Sequence, residues 1–230
     1  SNVTINGGEL VNNSAYNCGG GLYVSEGQLT MTGGNISGND NYAGKGGGIY
    51  ASLRGDLNII GGMISDNSAT GDGAGIYMRG MNTYYGFTGC TEMNISEAVT
   101  ISNNIASGTN SVGGGVYALT DASTTSCRIT VGATIPENSA AYGGGIGVAF
   151  GTASAQRANT FNLTSAAKIY NNHGTIEANN IAGTKRNLTD ELFFNYAQKA
   201  SYQKDGEAVA NYGDNSFAVD AYSEYTYKLA

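Results

Sequence analysis

Tryptophan is absent from the 230 residues, proline and histidine occur once each, cysteine occurs three times, and only 13% of positions are charged. Each scarcity removes a class of protein. A single histidine excludes paired-histidine metal sites, and His173, in Asn171-Asn172-His173-Gly174, reads as a surface turn residue. Cys18, Cys90 and Cys127 match no zinc or redox spacing, and an odd number is not a disulfide framework. No metal or cofactor is therefore expected. Cys90 and Cys127 do precede equivalent strands of successive repeats, which makes them a candidate cross-rung disulfide. Low charge density argues against a fold built of solvated helices. The net charge of −7 and pI near 4.6 deny nucleic acid or an anionic membrane the cationic surface that either needs. No apolar run approaches the roughly 18 residues of a membrane span, so no membrane insertion by this segment is expected.

What is present is glycine, 36 residues of it, within a chain that is 40% hydrophobic. The apolar residues recur at fixed intervals and can bury a continuous core, which excludes disorder. One motif appears six times, as Val3-Thr4-Ile5, Leu29-Thr30-Met31, Leu57-Asn58-Ile59, Met93-Asn94-Ile95, Ile129-Thr130-Val131 and Phe161-Asn162-Leu163. Apolar, polar, apolar order has the period of a strand, with the outer two side chains inside and the middle one in solvent. A corner of small residues usually follows, as at Gly7-Gly8, Gly33-Gly34 and Gly61-Gly62, and then an aliphatic residue with asparagine three positions on. Those asparagines are Asn13, Asn39, Asn67, Asn104, Asn138 and Asn172. A third motif closes each unit: Gly19-Gly20-Gly21-Leu22-Tyr23, Gly46-Gly47-Gly48-Ile49-Tyr50, Gly73-Ala74-Gly75-Ile76-Tyr77, Gly113-Gly114-Gly115-Val116-Tyr117 and Gly143-Gly144-Gly145-Ile146-Gly147.

Three short strands and their corners thus fill about 26 to 36 residues before the pattern returns. Without helical stretches to cross over, successive copies must stack directly as parallel strands ~4.8 Å apart. The predicted fold is all-β, a right-handed parallel β-helix of about six rungs over residues 1–187, with residues 188–230 as a C-terminal cap or linker. Within that last segment, Leu188 to Lys199 is expected to form a short helix with Thr189 as its N-cap, and Tyr222 to Tyr227 alternates like a strand. Stacking places the six asparagines in a structural ladder. It also sets Tyr23, Tyr50, Tyr77 and Tyr117 in an exposed aromatic row, able to stabilise the sheet by cross-strand pairing or to serve as a platform for sugar rings. Repeat sequence begins at Val3 with no capping segment before it, which leads to the expectation of a longer parent chain.

Gly-Gly-Gly-Ile-Tyr together with Ile-x-x-Asn resembles the repeats of bacterial polymorphic outer-membrane proteins and archaeal adhesin-like proteins. The similarity covers residues 3 to about 183 and is to the class, since those families use Gly-Gly-Ala-Ile and Phe-x-x-Asn. It implies an extracellular, cell-surface location and adhesion to a glycan or to a host or neighbour-cell surface protein.

Chemistry has one favoured place. The segments from Tyr77 to Met93, Tyr117 to Ile129 and Gly147 to Phe161 are longer than those from Tyr23 to Leu29 and Tyr50 to Leu57, all at one corner of the coil. Insertions on adjacent rungs form a lateral wall, and such loops carry binding. The longest contains Tyr84, Tyr85 and Phe87, the candidate ligand-binding residues; they either face a sugar or protein partner or fold back to cover the coil. No catalytic residue is assigned. A carbohydrate-active β-helix enzyme, a polysaccharide lyase or glycoside hydrolase, is the alternative, because Asp66 and Asp72 share a turn region one rung from Asp40. Turn chemistry accounts for the same aspartates. Ice binding would need an unbroken threonine array, and Asn58, Asn94 and Asn162 interrupt the one begun by Thr4, Thr30 and Thr130.

Overall fold

The computed structural model describes residues 2–53, 55–80, 92–120, 128–150 and 159–175, and beyond them the backbone of six short strands between Lys185 and Leu229. Among the described residues there is no helix, and so none long and apolar enough to cross a membrane. The first coil sets the plan: β1 (Asn2–Ile5), β2 (Glu9–Val11), β3 (Ser14–Ala15) and β4 (Leu22–Ser25) each found one sheet. Every later coil lays its four strands beside these in the same order, so the chain winds through about five turns of a parallel β-solenoid.

Register follows the motifs. In the first sheet Val3, Leu29, Leu57, Met93, Ile129 and Phe161 are successive neighbours. In the fourth sheet Leu22, Ile49, Ile76, Val116 and Ile146 are. These columns point inward, and with Ile36, Ile64, Ile101, Ile135 and Ile169 of the second sheet they form one apolar core running the length of the coil. Period-two alternation against a closed coil explains this: a slip of one residue would turn a whole column outward.

Two corners are built by backbone conformation. Between the second and third sheets, the residue just before each ladder asparagine is left-handed: Asn12, Gly38, Asp66, Asn103, Glu137 and Asn171 have φ between 54° and 64°. Between the third and fourth sheets, the first glycine of the triplet takes the same conformation, with φ of 60° at Gly19 and 70° at Gly46. The third glycine has a different role. A Cβ at Gly48 would sit 2.6 Å from the Gly75 carbonyl oxygen and 3.0 Å from Asn67 Nδ2, so this position must be bare for the ladder to fit beneath it.

Asn39, Asn67, Asn104 and Asn138 are completely buried and Asn172 nearly so. Each ladder amide donates to the next asparagine's Oδ1 at 2.9 Å, from Asn13 through Asn138. The backbone N–H of each donates to that same oxygen. From Asn39 on, the second Nδ2 hydrogen satisfies the carbonyl of the aliphatic residue one rung back, as in Asn67 to Ile36. The separations between rungs are 26, 28, 37, 34 and 34 residues, and the geometry does not change.

Within the expected helix, the described residues Leu192–Asn195 are extended instead. Leu192–Asn195 is a strand, pairing parallel with Ile146–Phe150 and antiparallel with Lys185–Asn187. Leu-Phe-Phe favours extended backbone, and the edge of the fourth sheet offers it hydrogen-bond partners that an isolated helix turn would lack. Ala200–Lys204 likewise extends the first sheet, and Glu207–Asn211 then pairs with it antiparallel. The tyrosine-rich end contains two strands, Val219–Tyr222 and Thr226–Leu229, paired antiparallel.

Candidate binding surface

On the outer side of the fourth sheet Tyr23, Tyr50, Tyr77 and Tyr117 stand in register. Parallel strands one rung apart bring equivalent rings into contact along the column, and only the Tyr50–Tyr77 pair is stacked while the other two are tilted. Their centroids are 5.3, 4.7 and 5.6 Å apart, with interplanar angles of 52°, 25° and 31°. The column stops at Gly147, where a Cβ would collide with Val112 and lie 2.9 Å from Tyr117 Cδ2.

The row is not uniformly exposed, which corrects the sequence reading. Tyr23 is 52% accessible, Tyr50 and Tyr117 are half-buried, and Tyr77 is 3% accessible. Tyr77 has a ring on either side, and Lys45 Nζ lies 4.9 Å above its centroid. That ammonium is held in place by Asp72, whose Oδ2 is 2.7 Å away and whose Oδ1 accepts the Val112 N–H at 3.0 Å. Lys45 and Asp72 each precede the first glycine of their triplet, so the corner itself delivers the pair to the tyrosine column. Burial, helped by neighbouring Tyr77 and Cys18 and opposed by Arg79, pushes the Tyr50 hydroxyl up to about 12.

A second aromatic pair was not anticipated. Tyr16 and Tyr42, 61% and 56% accessible, meet edge to face with centroids 5.4 Å apart. Each immediately follows a third-sheet strand, Ser14–Ala15 and Asp40–Asn41, and these strands are neighbours. The signal in the sequence was a tyrosine three positions after a ladder asparagine in two consecutive repeats. Tyr16 and Tyr42 thus flank one side of the third-to-fourth corner, and Tyr23 and Tyr50 the other, in the same two rungs. Between them Cys18 and Lys45 form a parallel bridge.

Tyr84, Tyr85 and Phe87, together with Cys90 and Cys127, lie outside the described residues. The aspartates weighed for catalysis each have a local part in the coil: Asp40 Oδ1 accepts the Ser68 hydroxyl, Asp72 holds Lys45, and Asp66 occupies a left-handed corner. Among the described residues no group of three or more His, Cys, Asp or Glu could hold a metal ion. His173 is an exposed strand residue paired with Ser139 in the third sheet. Thr4, Thr30 and Thr130 share one register column with Asn58, Asn94 and Asn162, so the outer row of the first sheet is a mixed hydroxyl and amide array. Comparison with family models, curated proteins and solved structures finds no match to this chain.

Proposed function

We propose that the chain is a non-catalytic, extracellular module of the cell surface, an adhesin or stalk segment that binds a glycan or a protein of a host or neighbouring cell. The single observation behind this reading is the outward column of four tyrosines in ring contact, open at Tyr23. Rings locked by their neighbours lose little entropy on binding, and a phenol offers both an apolar face and a hydrogen-bonding tip. The repeats' likeness to those of polymorphic outer-membrane and archaeal adhesin-like proteins supports the same reading. So does the lengthening of three rungs at one corner, where Tyr84, Tyr85 and Phe87 fall in the sequence. Enzymatic cleavage finds less support, because Asp40 and Asp72 are already engaged in holding the coil.

The test is retention of the purified chain on combined glycan and protein arrays, with a Tyr84→Ala/Tyr85→Ala variant in parallel and reducing-end release measured on every retained polysaccharide. Selective retention with no new reducing ends is the expected outcome. Catalytic release of shortened product would replace this reading with an enzymatic one, and retention on nothing would make the segment a spacer.

A further inference from the structure

Independently of the binding reading, we infer that Tyr16 and Tyr42 are a preassembled site for an oxidative cross-link. The product is a dityrosine tying the first coil to the second, made by a one-electron oxidant such as a haem peroxidase with hydrogen peroxide. The two residues follow Ala15 and Asn41, which are register partners, and the Tyr42 N–H donates to the Ala15 carbonyl at 3.3 Å. Asn41 is fully buried and its Nδ2 donates to the Lys45 carbonyl at 2.8 Å, so the base of Tyr42 is fixed while its ring lies outside. The two rings meet edge to face, at an interplanar angle of 69° and with centroids 5.4 Å apart. Access is required only at Tyr42. Coils lie on both sides of it, because the Asn41 carbonyl also accepts the Thr70 N–H of the third coil at 3.1 Å, and Tyr42 is still 56% accessible. Tyr16 takes part through ring contact alone.

Position also selects the partner. Further along this column Thr70 and then Ser107 take the place of tyrosine, so within it a radical on Tyr42 has Tyr16 alone as a phenol neighbour. The column on the fourth sheet is less suited. Burial keeps the Tyr50 proton on up to about 12, whereas phenol oxidation requires that proton to leave, and Tyr77 is 3% accessible. Two phenols and one peroxide balance the reaction. Each phenol gives one electron and one proton to the oxidant, an ortho carbon of each ring joins the other, and each displaced ortho hydrogen moves to restore a hydroxyl. The peroxide leaves as two waters. Rings already in contact make the coupling intramolecular, with the high effective concentration that this confers. Exposed side chains reorient within nanoseconds, which lets the ortho carbons meet.

The test treats dilute purified chain with a haem peroxidase and limiting hydrogen peroxide, beside Tyr16→Phe and Tyr42→Phe, with circular dichroism melts confirming that each is folded. The expected product runs as a monomer on a denaturing gel, is lighter by two hydrogen atoms and shows dityrosine fluorescence. Peptide mass spectrometry should place the link between Tyr16 and Tyr42. Either phenylalanine variant should lose that link, since it keeps the ring and removes the phenol. Oxidised wild type should also unfold at a higher urea concentration than oxidised Tyr42→Phe, because a covalent tie between residues 26 apart restricts the unfolded chain. No coupling, a link mapped only to another tyrosine pair, covalent dimers without the intramolecular product, or a lower urea midpoint than the oxidised variant would overturn the site. Ligand retention is measured on untreated chain, so the binding reading is judged separately.

Discussion

Asn67 donates Nδ2–H to Asn104 Oδ1 at 2.9 Å, and its backbone N–H reaches the same oxygen at 3.0 Å. Its own Oδ1 receives the corresponding two bonds from Asn39. Asn67→Ala therefore strands two donors of Asn39 and the Ile36 carbonyl in a site with no water access. The expected loss is about 3 kcal/mol or more, seen as a lower urea midpoint. Asn13→Ala, at the exposed end of the ladder, should cost about 1 kcal/mol.

Glycine is needed at some corners and indifferent at others. Gly48→Ala forces a methyl against a carbonyl oxygen and the ladder amide, and should destabilise by about 2 kcal/mol or more. Gly7→Ala meets nothing within 4 Å and should fall within about 0.5 kcal/mol of wild type. Equal denaturation midpoints for the two variants would contradict the packing described for the glycine triplet.

Glu137 holds a left-handed backbone, φ 58°, with an exposed side chain. A non-glycine residue of this kind carries about 1 to 2 kcal/mol of strain, partly offset by the entropy that glycine loses on folding. Glu137→Gly should accordingly raise stability by about 0.5–1 kcal/mol, and Glu137→Val should lower it, both measurable by thermal melting.

Tyr50 gives the fold an alkaline limit. With its folded pKa raised to about 12 from an ordinary 10.0, the unfolded chain loses this proton first as pH climbs. Its contribution to stability is complete below pH 10 and is lost between pH 10 and about 12. Melting temperatures measured through that window should fall, and fall less steeply in Tyr50→Phe, which keeps the ring and removes the titrating hydroxyl.

The coil was legible in the sequence because every column is a chemical repeat: aliphatic on aliphatic, asparagine on asparagine, tyrosine on tyrosine. Register in the first, second and fourth sheets follows directly from aligning those motifs. Burial of Tyr77 was not legible. Lys45, from the preceding rung, is drawn over the ring by Asp72, and neither residue shares a motif position with tyrosine. The left-handed corner had a residue-type signal at five of its six positions, which are Gly, Asn or Asp, and none at Glu137. At Leu188 to Lys199 a capping pattern suggested a helix, yet the open edge of the fourth sheet captured Leu192–Asn195 as a strand. Tyr16 and Tyr42 went unread because only two repeats carry them.

The ladder keeps its geometry whether 26 or 37 residues separate its members. Lengthening a surface connection costs little, about 0.6 kcal/mol for each doubling, while the rungs on either side remain clamped by amides and bare glycines. The solenoid therefore behaves as a rack with interchangeable fittings: a segment joining the fourth sheet to the first can be lost, gained or traded between rungs without renegotiating the core. Descendants of one such coil can diverge in what they hold while remaining superimposable in how they hold it.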